Sequence, residues 1–240
     1  RNYMNQPYAL ITGASSGIGF QYARVLASRG YNLLIVSNEE AIHDRAKELR
    51  NEYPEIEVVS LMRDLSLQTA AEELHNYCRE NGLEVEVLVN NAGVYHDRDF
   101  LDDSLAFNSV ILNLHMYTPA MLCYHFGHDM VSRGKGYILN MCSITSHMAA
   151  QRLGAYGSTK AFLRNFTRAL HVELHEKGVR VLNVNPGAVN TGLYNIPAWI
   201  TRLGKGVGFI VEPDYLARRA VRALFRGRAK VTIPTFWSAV

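Results

Sequence analysis

The sequence predicts an α/β fold: a doubly wound parallel sheet of about seven strands with helices on both faces, in three layers. Three observations carry that expectation. Short apolar runs rich in Val, Ile and Leu alternate with segments of helical period from end to end. The first run enters a glycine-rich turn, Thr12 to Gly19, and a helical pattern starts directly behind it. The 240 residues contain no internal repeat, linker or low-complexity tract, so they are expected to form one domain, 1–240.

In chain order, strands are expected at Tyr8–Thr12, Asn32–Ser37, Ile56–Leu61, Val85–Asn90, Tyr137–Ser143, Val179–Val184 and Lys230–Ile233. Their nearly continuous apolar character is that of strands covered on both faces. Helices are expected at Ile18–Ser28, Ala41–Tyr53, Leu67–Asn81, Leu105–Ser132, Tyr156–Glu176 and Asp214–Phe225. Gly30, Gly82 and Gly178 read as helix stop signals. Strand–helix alternation of this kind implies right-handed crossovers. Ligands of such sheets bind beyond the carboxyl ends of the strands, where the strand order switches.

Composition narrows the function. The chain is 48% hydrophobic and 20% charged, with a net charge of +3, too mild to imply nucleic acid. Three cysteines without a CxxC pair argue against a disulfide framework or zinc site and for a reducing, cytoplasmic setting. No apolar run approaches the roughly 20 residues of a membrane span, and no signal-peptide layout precedes the first strand. Met4 reads as a natural start, and the abrupt end at Val240 as the sign of a longer native tail. The histidines have no HExxH or comparable spacing, so no metal is expected. Arg218, Arg219, Arg222, Arg226, Arg228 and Lys230 read as a solvated helix face in preference to a membrane-surface patch.

The strand ends hold the chemistry. Gly13, Gly17 and Gly19 stand in a GxxxGxG pattern before a helix start, where unpaired N–H groups and the positive end of the dipole suit an anion, most simply a pyrophosphate. Tyr156 and Lys160 are i and i+4 and share a helix face. A lysine cation beside a phenol favours the phenolate and makes tyrosine usable in proton transfer. Such a pair alone is more often a solvated face. Ser143, at a strand end, is placed to hydrogen-bond the same reacting oxygen.

TGASSGIG at Thr12–Gly19, Asp64-Leu65, the run Asn90-Asn91-Ala92-Gly93, Asn113, Ser143, the run Tyr156-Gly157-Ser158-Thr159-Lys160 and Pro186-Gly187 follow one another in this order. In them the chain resembles the short-chain dehydrogenase/reductase family in its single-domain, Rossmann-like form, and is closest in pattern to ketoacyl and hydroxysteroid reductases. The resemblance implies an oxidoreductase that moves a hydride between a nicotinamide dinucleotide and a ketone or secondary alcohol. Tyr156 would be the acid/base, Lys160 would lower its pKa and hold the nicotinamide ribose, and Ser143 would polarise the carbonyl. Asn113 would anchor a relay water, or else be a helix asparagine satisfied by backbone.

The resemblance also implies a cofactor path. Gly13, Ser15, Ser16, Gly17, Ile18 and Gly19 would take the pyrophosphate, and Asp64 with Leu65 the adenine. Asn91, Ala92 and Gly93 would pass the adenosine ribose, and Pro186, Gly187, Val189 and Thr191 the nicotinamide end. Two bland alternatives stand beside these roles: Asp64 as a helix starter, and Asn90-Asn91 as a self-satisfied turn.

At the tip of the second strand, Ser37 stands where an acid would select NAD(H), and Asn38 where an arginine would hold a 2′-phosphate. The expectation is NADP(H), with NAD(H) the alternative. Residues 188–212 resemble a substrate lid. Their apolar side chains, with Met148 and Tyr194, point to a hydrophobic small-molecule carbonyl or alcohol, such as a 3-oxoacyl chain or a steroid. A homodimer or homotetramer is implied through the two longest helices. The alternatives are a dinucleotide sensor or scaffold on the same fold, and an epimerase or dehydratase.

Overall fold

The computed structural model describes residues 6–189 and 210–233. Seven parallel strands are built from the most apolar runs: β1 (Tyr8–Thr12), β2 (Asn32–Ser37), β3 (Val58–Met62), β4 (Val85–Asn90), β5 (Gly136–Met141), β6 (Val179–Pro186) and, last in the sheet, Lys230–Ile233. The order across the sheet is β3-β2-β1-β4-β5-β6 and then Lys230–Ile233. The chain therefore starts in the middle, winds outward through β2 and β3, and crosses back to begin again at β4. That reversal opens a crevice between the carboxyl ends of β1 and β4.

Every residue of β1, β2 and β4 is buried, as their unbroken apolar runs require. Edge strand β3 is only partly covered. It begins at Val58, later than Ile56, because the Ile56 N–H closes a turn onto the Tyr53 carbonyl. Strand β6 runs two residues further than its apolar pattern, to Pro186, whose register partner is Ile233. A separate two-residue pairing joins β7 (Ala188–Val189) to β8 (Ile210–Val211). The roots of the expected lid are thus side by side, while its body and Tyr194 lie outside the described residues.

Helices α1 (Gly17–Ala27) and α2 (Ala41–Glu52) cover one face, joined by α7 (Pro213–Phe225). Before α7 in the chain, α3 (Ala70–Glu80), α4 (Leu105–Leu112), α5 (Thr118–Arg133) and α6 (Gly154–His175) serve the other side, with α3, α5 and α6 supplying its core. No helix among the described residues is long and apolar enough to cross a membrane. The single helix expected over 105–132 is in fact three pieces. A π-helical turn, Asn113–Tyr117, separates α4 from α5, and Pro119 sits in the first turn of α5. A π turn carries one extra residue per hydrogen-bonded ring and re-aims the side chains beyond it.

A buried polar ladder ties the layers together beneath the crevice. Asn90 Nδ2 donates to Asn140 Oδ1 at 2.8 Å, and Asn140 Nδ2 donates to Thr167 Oγ1 at 2.9 Å. The links run from β4 to β5 to α6, so the helix that carries the chemistry is pinned by hydrogen bonds as well as by packing.

Candidate active site

The glycine turn is shaped by the strand beside it. Thr12 Oγ1 accepts from the N–H groups of Asn91 and Ala92, both at 3.0 Å. Asn91 Nδ2 donates to the Thr12 and Gly13 carbonyls, both at 3.1 Å. Gly13 adopts φ +67°, and a Cβ there would stand 2.7 Å from Ala92 Cα. A Cβ on Gly19 would fall 2.0 Å from the Gly13 carbonyl oxygen, so α1 can lie against the turn only through a glycine. The first turn of α1 contains no acidic residue, so its N–H groups and dipole face the crevice unopposed.

A cavity of about 500 Å³ fills the crevice. Its walls include Gly13, Ser15, Ser16, Gly17 and Ile18 from the turn, Ser37 and Asn38 from the tip of β2, and Asp64 and Leu65 beyond β3. Asn91, Ala92 and Gly93 continue the lining, which ends at Tyr156, Lys160, Pro186, Gly187 and Val189. Gly19 is not in the wall: it is packed behind the turn against Gly13. Thr191 lies outside the described residues.

At the β2 end, hydrogen bonds limit what each group can offer. Ser37 Oγ donates to Ser15 Oγ at 3.0 Å and accepts from the Glu39 N–H at 3.2 Å. Its hydroxyl is therefore spent on holding the β2 tip to the glycine turn. Asp64 Oδ1 accepts from the Ser66 N–H at 2.9 Å and from Ser66 Oγ at 2.7 Å. One carboxylate oxygen thus closes a turn while the residue lines the cavity; Asp64 does not start a helix, since α3 begins at Ala70 behind Thr69. Arg63, which sequence reasoning passed over, also lines this end together with Glu39.

At the other end, Lys160 is 5% exposed and its Nζ donates to the Met141 carbonyl at 2.8 Å. Burial lowers its pKa to about 8. The Nζ lies 5.7 Å from the centroid of the Tyr156 ring. Tyr95 and His115 meet that ring edge-on, with centroids 5.2 and 5.6 Å away. Ser143 is buried in extended backbone where β5 gives way to the 3₁₀ turn Ile144–His147. Its Oγ accepts from the Thr145 N–H at 3.2 Å and the Thr145 hydroxyl at 2.9 Å. Ser143 does not line the cavity itself; its neighbours Met141 and Cys142 do. Burial pushes the Cys142 thiol up to about 12, which leaves it a small apolar wall group.

Asn113 opens the π turn and is absent from the cavity wall, whereas His115, two residues on, reaches it. The re-aiming produced by the π turn accounts for the exchange. His115 is 1% exposed, and burial, assisted by the Lys160 charge, holds its pKa well below the usual histidine range. A histidine inside an apolar helical run was the sequence signal for it. Among the described residues no group of three or more His, Cys, Asp or Glu side chains is arranged to hold a metal.

Comparison with known proteins places this geometry. The family model for short chain dehydrogenases matches residues 7–196. A very-long-chain 3-oxoacyl-CoA reductase of Pyrenophora tritici-repentis is 33% identical over 193 residues, 79% of this chain and 57% of that protein. The chain thus spans little more than half the length of that curated relative. The inactive hydroxysteroid dehydrogenase-like protein 1 of Homo sapiens is 31% identical over 236 residues, 96% of this chain and 68% of its own length. A solved short-chain dehydrogenase from Sphingobium yanoikuyae, in complex with NADPH, superposes with a TM-score of 0.85 at 28% identity. It covers 97% of this chain and 91% of the other.

Proposed function

Because the chain belongs to the short-chain dehydrogenase family, we propose that it is an NAD(P)-dependent oxidoreductase acting on a ketone or secondary alcohol. One observation carries this reading: the glycine turn, Tyr156 and Lys160 open onto a single cavity at the switch between β1 and β4. The residues fit a dinucleotide. Gly13 and Gly19 let the turn pack so closely that a Cβ at either would meet backbone, and the turn lines the cavity at a helix start that favours an anion.

A bound nicotinamide dinucleotide supplies or accepts the hydride. Tyr156 gives its phenolic proton to the carbonyl oxygen in reduction and takes it back in oxidation. The Lys160 ammonium beside the ring favours the phenolate. Ser143 adjoins the wall residues Met141 and Cys142 and receives two hydrogen bonds from Thr145, so the donor it would offer a substrate oxygen at the cavity edge is its own hydroxyl hydrogen. The low exposure of Lys160, Tyr156 and Ser143 strengthens each of these interactions.

The finer reading is NADP(H) over NAD(H). No acid stands at Ser37, and a cation stands one strand over. The Arg63 N–H donates to the Ser37 carbonyl at 2.8 Å, which fixes the tips of β2 and β3 side by side. The Arg63 guanidinium makes no ion pair among the described residues; its Nη1 donates to the Met62 carbonyl at 2.9 Å. It supplies the charge that Asn38 lacks for a 2′-phosphate. The NADPH complex of the Sphingobium relative supports this choice.

A hydrophobic ketone fits the apolar wall of Val110, Leu114 and Val189 and the half-exposed Met148, and agrees with the named activity of the Pyrenophora relative. Exposed Tyr124, Phe162 and Val172 on α5 and α6 support a homodimer or homotetramer through these helices. A panel of long-chain 3-oxoacyl, steroidal and small polar carbonyls, followed by NADPH consumption, tests the function. Turnover of hydrophobic ketones is expected; turnover of none supports the second reading, a dinucleotide-binding protein without catalysis, which the relative named inactive favours.

A further inference from the structure

His115 touches the Tyr156 ring, the helix that carries Tyr156 and the segment after β4. Its Nε2 lies 2.9 Å from the Val94 N–H. A backbone N–H can only donate, so Nε2 carries a lone pair and the ring is neutral with its proton on Nδ1. Nδ1 lies 3.1 Å from Thr159 Oγ1, and Thr159 Oγ1 donates to the Tyr156 carbonyl at 2.8 Å. The direction of the chain is thereby fixed: Nδ1–H to Thr159, and Thr159 to the backbone of Tyr156.

Val94 is followed by Tyr95, whose ring meets Tyr156 edge-on from another direction. The Tyr156 ring is therefore flanked by His115 directly and by a tyrosine whose neighbour His115 holds. The fit is close on the β4 side as well. A Cβ on Gly93 would stand 3.0 Å from His115 Nε2, inside ordinary van der Waals contact. Both ring nitrogens are committed, one as acceptor and one as donor, so the imidazole has neither a proton nor a lone pair to exchange with a substrate.

We propose that His115 is a positioning residue that sets the Tyr156 phenol by bonding the helix behind it and the Val94–Tyr95 segment beside it to one rigid ring. The proposal rests on the reading of Tyr156 as the acid/base. Lys160 is the charged group whose field reaches the imidazole; it acts on the phenol, and His115 keeps phenol and lysine in register.

Two measurements test it. Long-range ¹H–¹⁵N correlation spectra of the protein without substrate should show His115 as the Nδ1–H tautomer, unchanged between about pH 5 and about pH 9, where an ordinary histidine titrates. An Nε2–H tautomer, or titration within that range, overturns the proposal whatever the activity. In kinetics, His115→Phe keeps the ring and removes both hydrogen bonds. It should lower kcat about 10- to 100-fold, as a misplaced catalytic group does, and displace the phenol limb of the pH–rate profile, while the NADPH Kd from fluorescence titration stays within about twofold. His115→Gln, with one donor and one acceptor at similar reach, should restore most of the loss. Parental kcat with an unmoved limb in His115→Phe contradicts the proposal, as does His115→Gln as impaired as His115→Phe. Should His115→Phe fail to fold, Thr159→Val cuts the same chain and should move the same limb. Turnover retained by Tyr156→Phe would instead refute the acid/base reading.

Discussion

Lys160 Nζ donates to the main-chain carbonyl of Met141, 2.8 Å away, from a position closed to solvent. The last residue of β5 thus fixes the ammonium that faces the Tyr156 ring. The bond also orients the ammonium, whose pKa burial lowers to about 8.

The arrangement has a thermodynamic sign. In the folded protein Lys160 has its pKa lowered from 10.5 to about 8. Below the folded value both states carry the proton and the buried charge costs its full amount, on the order of 3 kcal/mol. Between the two values the unfolded chain holds a proton that the native state has released, so stability from this group rises with pH. Lys160→Met should therefore abolish turnover yet unfold no earlier than the parent at pH ~7, with any advantage shrinking as pH rises through ~8 to ~10.5. Urea denaturation at several pH values checks it. A variant far less stable at neutral pH would show that the Met141 bond outweighs the burial cost.

Gly19→Ala drives a methyl group to within 2.0 Å of the Gly13 carbonyl oxygen. Backbone must move on one side or the other, a cost of about 1–3 kcal/mol, and the turn loses its shape. Affinity for NADPH should fall at least about tenfold, since ~1.4 kcal/mol is a factor of ten. Calorimetric titration reads this directly, and parental affinity would mean that the cradle does not depend on this contact.

Asn91→Asp replaces a donating amide with an oxygen aimed at the carbonyls of Thr12 and Gly13. Two hydrogen bonds are lost and a carboxylate oxygen is set against two carbonyl oxygens, so a loss of about 2–4 kcal/mol in unfolding free energy is expected. Asn91→Ala, which removes the bonds without the repulsion, should cost less. Equal losses in the two variants would contradict this account.

Cofactor choice divides between Arg63 and Glu39, which line the same end of the cavity with opposite charges. Arg63→Ala should weaken 2′,5′-ADP by about tenfold, about 1.4 kcal/mol for one charge-assisted contact, and leave ADP little changed. Glu39→Gln should strengthen 2′,5′-ADP. Calorimetry with the two nucleotides separates these effects, and equal response of both to Arg63→Ala would remove the argument for NADP(H).

Much of the frame was legible because burial on two faces leaves an unambiguous signature. Strands β1, β2 and β4 coincide with their apolar runs to the residue. The glycine turn and the Tyr156/Lys160 pair were legible because each needs a fixed spacing. Less visible was the π turn: residues 105–117 are apolar on nearly all sides, so the period gives no phase to break. His115 therefore passed as an ordinary histidine and Asn113 took its place. Arg63 stands immediately before Asp64 at a strand end, a signal present in the sequence but overlooked in favour of the β2 tip. That Ser37 is committed to Ser15 and Glu39 could not be read at all, because it depends on how two turns meet.

Tyr156→Phe removes one oxygen and leaves the ring between Tyr95, His115 and Lys160. Single-turnover reduction of a hydrophobic ketone by this variant, with NADPH binding followed in parallel, tests the central claim most directly. The expected result is unchanged NADPH affinity with turnover reduced by about 10²-fold or more; near-parental turnover with NADPH bound would contradict it.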